Sequence, residues 1–129
     1  MIKSDRIICA LDLPNLNNIF NLVERIEYDI IFKFGMEFFY NFGVKGILDI
    51  KKIKPDMKIF LDLKFHDIPN TVAKALKPLL NYIRPDILTL HISGGRMMME
   101  EAVKTVNKTA VELKINKPIL MGVTILTSL

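Results

Sequence analysis

The run Asp62-Leu63-Lys64-Phe65-His66-Asp67-Ile68-Pro69-Asn70-Thr71 sets two carboxylates and an ammonium within six residues, directly after the apolar stretch Ile59-Phe60-Leu61. Unpaired charge is costly to take out of water. A buried strand that ends in Asp, Lys and Asp must therefore pair these groups with one another or with a ligand. Where the strand continues past Asp62, residues 62 and 64 share a side, because side chains alternate with period two. A carboxylate and an ammonium converging on one pocket can hold an anion and move a proton. Taken alone, Asp-x-Lys-x-x-Asp reads equally well as a solvated loop of alternating charge. Its context separates the readings: the triplet leaves an apolar strand, and Ile68-Pro69-Asn70-Thr71 supplies turn and cap chemistry for a tight exit into a helix. The Thr71 hydroxyl is also available to a ligand.

These residues need a scaffold, and the chain spells one out. Short apolar runs recur at Ile7–Leu11, Ile30–Phe34, Lys58–Leu63, Ile87–Leu90 and Ile119–Ile125. Their starts are roughly 25 to 30 residues apart, the span of a strand, a helix and two loops. Continuous rather than alternating apolarity marks strands buried on both faces, as in parallel sheets. Helical periodicity fills the gaps over Asn15–Ile26, with Asn15 as N-cap, and over Gly43–Ile53, Thr71–Tyr82 and Gly94–Leu113. Pro78 is expected to shorten or kink the third helix, and Met97-Met98-Met99 is expected to fill core. The order is βαβαβαβαβ, an α/β fold with right-handed crossovers.

Polar residues collect where strands end: Asp12 after the first, Lys33 at the second, Asp62 and Lys64 at the third, His91 at the fourth, Thr127 and Ser128 after the fifth. Groups delivered by several strand C-termini at once are how a barrel active site is built. An open flavodoxin-like sheet also holds five strands, but it lacks a match here: Asp12-Leu13-Pro14-Asn15 stands where a glycine-rich phosphate loop belongs. A full eight-stranded barrel needs about 250 residues. The 129 residues here read as one domain, an incomplete barrel of about five parallel strands and four helical segments whose first and fifth strands form open edges.

Composition excludes other classes. Half the residues are hydrophobic, enough for a core, and the net charge of +4 is spread along the chain rather than gathered on a nucleic-acid-binding face. The densest cluster, Lys51-Lys52-Ile53-Lys54, reads as an exposed helix end. The lone Cys9 in an apolar run reads as a small core residue; with no disulfide framework, it fits a reducing cytoplasm. Two histidines and one cysteine without close spacing give no structural metal site. The opening Met1-Ile2-Lys3-Ser4-Asp5-Arg6 does not read as a signal peptide, and no window reaches the roughly 18 apolar residues of a membrane span.

The segment 62–71 resembles the signature of the orotidine 5′-phosphate decarboxylase family, enzymes of UMP biosynthesis built on (β/α)8 TIM barrels. The resemblance continues through Ala10-Leu11-Asp12, Phe32-Lys33-Phe34-Gly35, His91-Ile92-Ser93-Gly94-Gly95 and Val123-Thr124-Ile125-Leu126-Thr127-Ser128, in order and spacing. It implies decarboxylation of orotidine 5′-phosphate without metal or other cofactor, in a cytoplasmic homodimer. Lys64 would donate the proton to C6 of the pyrimidine, with Asp62 against the substrate carboxylate. Lys33 and Asp67 would complete an alternating Lys-Asp array. Asp67 and Thr71 would reach across the dimer interface to the ribose; Asp12 would bind the ribose hydroxyls, and Thr127 the pyrimidine. His91 would play a supporting or structural part, finding a partner as buried polar groups do.

A fixed ammonium at C6 stabilises negative charge as it develops and then delivers its proton, and the neighbouring carboxylates keep it protonated. The family's phosphate-gripping Arg and Gln and its closing loop come after the sixth to eighth strands. Arg96 is no substitute, since its matching position lies on the barrel wall. Sugar-phosphate lyases such as hexulose-6-phosphate synthase share Asp-x-Lys-x-x-Asp, but place a Mg2+-binding Glu where Lys33 stands here. An ammonium repels a metal cation. A third alternative is an inactive remnant or fragment of the decarboxylase.

Overall fold

The computed structural model describes residues 6–129; Met1–Asp5, most of the opening segment considered above, lie outside the described residues. The chain forms two compact units, one running through Asp62 and the other from Leu63 onward.

The first unit contains β1 (Ile8–Ala10), α1 (Leu16–Arg25), β2 (Ile31–Gly35), α2 (Met36–Ile53) and the first part of β3 (Lys58–Phe65). β1 pairs in parallel with β2, placing Ala10 opposite Lys33. β2 pairs in parallel with β3, placing Lys33 opposite Phe60 and Gly35 opposite Asp62. Leu11, Ile19, Phe32, Phe34, Phe38, Ile47, Ile50, Ile59 and Leu61 are fully buried. The expected Asn15 cap is present, its side-chain oxygen accepting from Asn17 N at 2.9 Å and Asn18 N at 3.2 Å. Helix α2 begins seven residues before the expected start at Gly43, at Met36. Gly43 itself breaks the helix geometry at φ 61° and ψ −162°, a conformation glycine adopts without a Cβ penalty. One turn on, a Cβ at Gly46 would sit 2.4 Å from Phe42 Cβ and 3.3 Å from the Phe38 ring. That glycine admits the edge-to-face stack of Phe34, Phe38 and Phe42. Lys54 departs from the expected exposed helix end: it is half-buried, donates to the Ile26 carbonyl and lies 5.7 Å from the centre of the Phe32 ring. Cys9 is half-buried rather than core, and burial raises its thiol pKa.

The second unit contains the end of β3, α3 (Pro69–Tyr82), β4 (Ile87–His91), a 3-10 turn over Ile92–Gly94, α4 (Arg96–Leu113) and β5 (Ile119–Val123). β4 and β5 pair in parallel, α3 packs on α4, and Val72, Leu76 and Leu80 of α3 and Met98, Ala102 and Val106 of α4 are buried. Pro78 does not shorten α3, which continues to Tyr82. Pro69 takes the first helical turn, where its missing N–H costs nothing, and the cap is Ile68 rather than Asn70. The expected Gly94–Leu113 helix is interrupted by Gly95 at φ 94°. Of the three methionines, only Met98 fills core; Met97 is 76% exposed, because consecutive helical residues point about 100° apart. No helix among the described residues is long and apolar enough to cross a membrane.

Candidate functional site

In the first unit, two strand-borne charges and one just past a strand meet. Lys33 is the third residue of β2, inside the strand rather than at its end, and is flanked by the buried Phe32 and Phe34. Its ammonium lies 3.5 Å from Asp62 Oδ2 and 3.9 Å from Asp12 Oδ2. Asp62 is buried at 8% exposure, at the fifth position of β3, while Asp12 lies just past β1 and is exposed. Gly35 lies beside this end of the cluster: a Cβ there would come into ordinary contact with Asp12 Oδ1, at 3.4 Å. Burying a carboxylate is tolerable here because a cation stands beside it. The outcome is a carboxylate–ammonium–carboxylate row with one buried and one solvent-facing end.

In the second unit, Lys64 departs from the regular strand expected at its position. Its φ is 49°, in the left-handed region, which costs a residue with a Cβ about 1–2 kcal/mol. The period-two argument that pairs the directions of residues 62 and 64 therefore does not describe Lys64. Among the described residues, the other non-glycine positive-φ positions, Arg84 and Lys114, close α3 and α4, where left-handed backbone is ordinary. The Lys64 amide donates to Thr89 Oγ1 at 2.9 Å. His66, just past β3, and His91, the last residue of β4, have ring centres 5.2 Å apart.

Asp67 is exposed, and one of its oxygens accepts from the Ile68 amide at 2.7 Å, which shapes the exit into α3. Thr71 is exposed in the first turn of α3, and Thr127 is exposed in a turn beyond β5. The structure thus brings Asp12, Lys33 and Asp62 together, ties Lys64 to β4, and leaves Asp67, Thr71 and Thr127 on solvent-facing positions. Arg96 is engaged by Glu100, Nε to Oε1 at 2.7 Å. No group of three or more His, Cys, Asp or Glu side chains suited to a metal ion occurs among the described residues. Sequence reasoning missed Thr89. The available signal was a hydroxyl in the otherwise apolar run Ile87-Leu88-Thr89-Leu90.

Parallel strands alternating with helices, together with the solved structures the chain superposes on, define a (β/α)-barrel protein, here an incomplete one. The chain belongs to the orotidine 5′-phosphate decarboxylase / HUMPS family, whose profile matches residues 5–129. It is 44% identical over 128 residues to the orotidine 5′-phosphate decarboxylase of Carboxydothermus hydrogenoformans, an alignment covering 98% of this chain and 51% of that protein. It is also 44% identical over 124 residues to the Wolbachia enzyme of the same name, covering 95% of this chain and 51% of the relative. Among solved structures, the decarboxylase of Lactobacillus acidophilus superposes with a TM-score of 0.81 at 35% identity, covering 95% of this chain and 54% of that one. That of Methanocaldococcus jannaschii, complexed with the inhibitor BMP, superposes with a TM-score of 0.71 at 27% identity, covering 95% and 53%. The chain spans about half the length of these relatives, their N-terminal half.

Proposed function

We propose that this chain carries the catalytic lysine–aspartate residues of a metal-independent orotidine 5′-phosphate decarboxylase, and that turnover also needs the barrel half it does not contain. The observation that carries the reading is Lys33: its ammonium stands 3.5 Å from the buried Asp62 carboxylate, on the strand where a Mg2+-dependent lyase needs an acidic ligand. A fixed cation there offers a site for substrate anions and disfavours a metal ion. In this reading Lys64 protonates C6 as CO2 departs, and Asp62 faces the substrate carboxylate. Lys33 and Asp67 extend the charge array, Asp12 and Thr71 bind the ribose, and Thr127 meets the pyrimidine ring.

The remaining features of the reading are a cytoplasmic location and a homodimer in which Asp67 and Thr71 serve the partner's site. Their exposure supports that role. Residues 1–129 are then the N-terminal part of one barrel. In the first unit β1 leaves Ile7 and Ile8 exposed; in the second, β5 and the segment after it expose Ile119, Met121, Ile125 and Leu126. Both are surfaces that further strands would cover.

The test is to mix the purified chain with the C-terminal half of the Carboxydothermus relative and assay orotidine 5′-phosphate, with and without a chelator. The expected outcome is turnover in the mixture only, unchanged by chelation. Loss on chelation that Mg2+ restores moves the chain to the lyases. A stable mixture without turnover rejects the decarboxylase reading.

A further inference from the structure

In the second unit, the end of β3 and the residue just past it contact β4 at two matching positions two residues apart. Thr89 holds Lys64, and His91 packs against His66. Thr89 is only 3% exposed, between the buried Leu88 and Leu90. A hydroxyl in such surroundings is costly unless it is hydrogen-bonded. The bond it accepts comes from the amide of the one described non-glycine positive-φ residue that does not close a helix. Left-handed backbone inside a strand turns its N–H away from the regular ladder, so the amide must find a side-chain acceptor.

From this juxtaposition we propose that Thr89 is a positioning residue for Lys64. Its hydroxyl stabilises the left-handed turn and so sets the direction in which the lysine leaves the strand. The His66–His91 contact follows just past the end of β3. For its catalytic consequence this inference rests on the proton-donor reading of Lys64; its structural consequence is independent of that reading.

The discriminating variants are Thr89→Val, which keeps the shape and removes the acceptor, and Thr89→Ser, which keeps the acceptor. Two readouts separate the claims: amide hydrogen exchange at Lys64 in the chain, and kcat and KM in the mixture described above. Thr89→Val is expected to speed Lys64 exchange about tenfold relative to its strand neighbours, as loss of one hydrogen bond predicts. It should lower kcat about 10- to 100-fold with KM little changed, the signature of a misdirected group rather than a lost binding contact. Thr89→Ser should restore both. If Thr89→Val does not fold, Thr89→Cys, with its weak acceptor, should fall between Ser and Val. Unchanged Lys64 exchange in the valine or cysteine variant overturns the positioning role. A wild-type mixture without turnover rejects the decarboxylase reading alone, because the exchange measurement still decides the Thr89–Lys64 tie.

Discussion

Lys33 and Lys64 both stand in parallel strands and carry the same ammonium, yet the protein holds them by opposite ends. Lys33 has regular strand pairing, with Ala10 on one side and Phe60 on the other, and is fixed at its tip by the carboxylates of Asp12 and Asp62. Lys64 is fixed at its root, by a left-handed backbone and an amide bond to Thr89. The difference separates two ways of placing charge. A tip held by carboxylates is placed by electrostatics, so removing the cation takes from a buried carboxylate the charge that offsets part of its desolvation cost. A root held by backbone geometry is placed by the turn of the chain, at the cost of local strain.

The largest expected effect lies at the root-held lysine. Lys64→Ala should lower kcat in the assembled enzyme at least about 100-fold, the minimum typical of general acid catalysis. A variant retaining a tenth of the activity rules out the proton-donor role. Lys64→Gly should be equally inactive but about 1 kcal/mol more stable than Lys64→Ala, because glycine carries no Cβ penalty at φ 49°. Equal stability of the two variants in denaturant titrations would show that the left-handed turn stores no strain.

Next comes the tip-held lysine. Lys33→Met keeps much of the apolar stem but takes the cation from Asp62, and should destabilise the chain by about 1–3 kcal/mol in urea unfolding. An unchanged midpoint would mean that other groups around Asp62 suffice. The contrast would then rest on Lys64 alone.

The smallest effect is expected at a surface version of the tip-held arrangement. Asp49 is reached by Lys45 Nζ at 2.6 Å and Lys52 Nζ at 2.8 Å. The hydrogen bond from Lys45, then that from Lys52, lowers its pKa to about 2. Because the folded value is depressed, its contribution to stability is present above the ordinary carboxylate range near 4 and disappears as pH falls through about 2. An NMR titration of the Asp49 carboxyl should show this low midpoint, moving up when Lys45 and Lys52 are both replaced by Ala and when salt is raised. A midpoint near 4 in the unaltered chain would separate exposed ion pairs from the Lys33 cluster altogether.

What could be read without coordinates follows from local rules. Continuous apolar runs placed all five strands to within about two residues; in β2, β3 and β4 burial on both faces accounts for the continuous apolarity, whereas β1 and β5 are largely exposed. Asn15 was legible as a cap because its short side chain competes well for free amides. The start of α2 was obscured because Gly43 interrupts the helical pattern and the preceding Met36–Phe42 turns look like a continuation of β2. Asn70 was misplaced as a cap because proline at the first helical position shifts that role back to Ile68.

Element order, family and the residue types available for chemistry can be read along the chain, since they depend on composition and spacing. Tertiary structure alone decided that Lys33 pairs with both Asp12 and Asp62, which lie 21 and 29 residues away from it. It also decided that Lys64 leaves the regular strand and that a threonine 25 residues further on accepts its amide. Such ties depend on which atoms of distant segments come within hydrogen-bonding distance, and only the folded chain sets those distances.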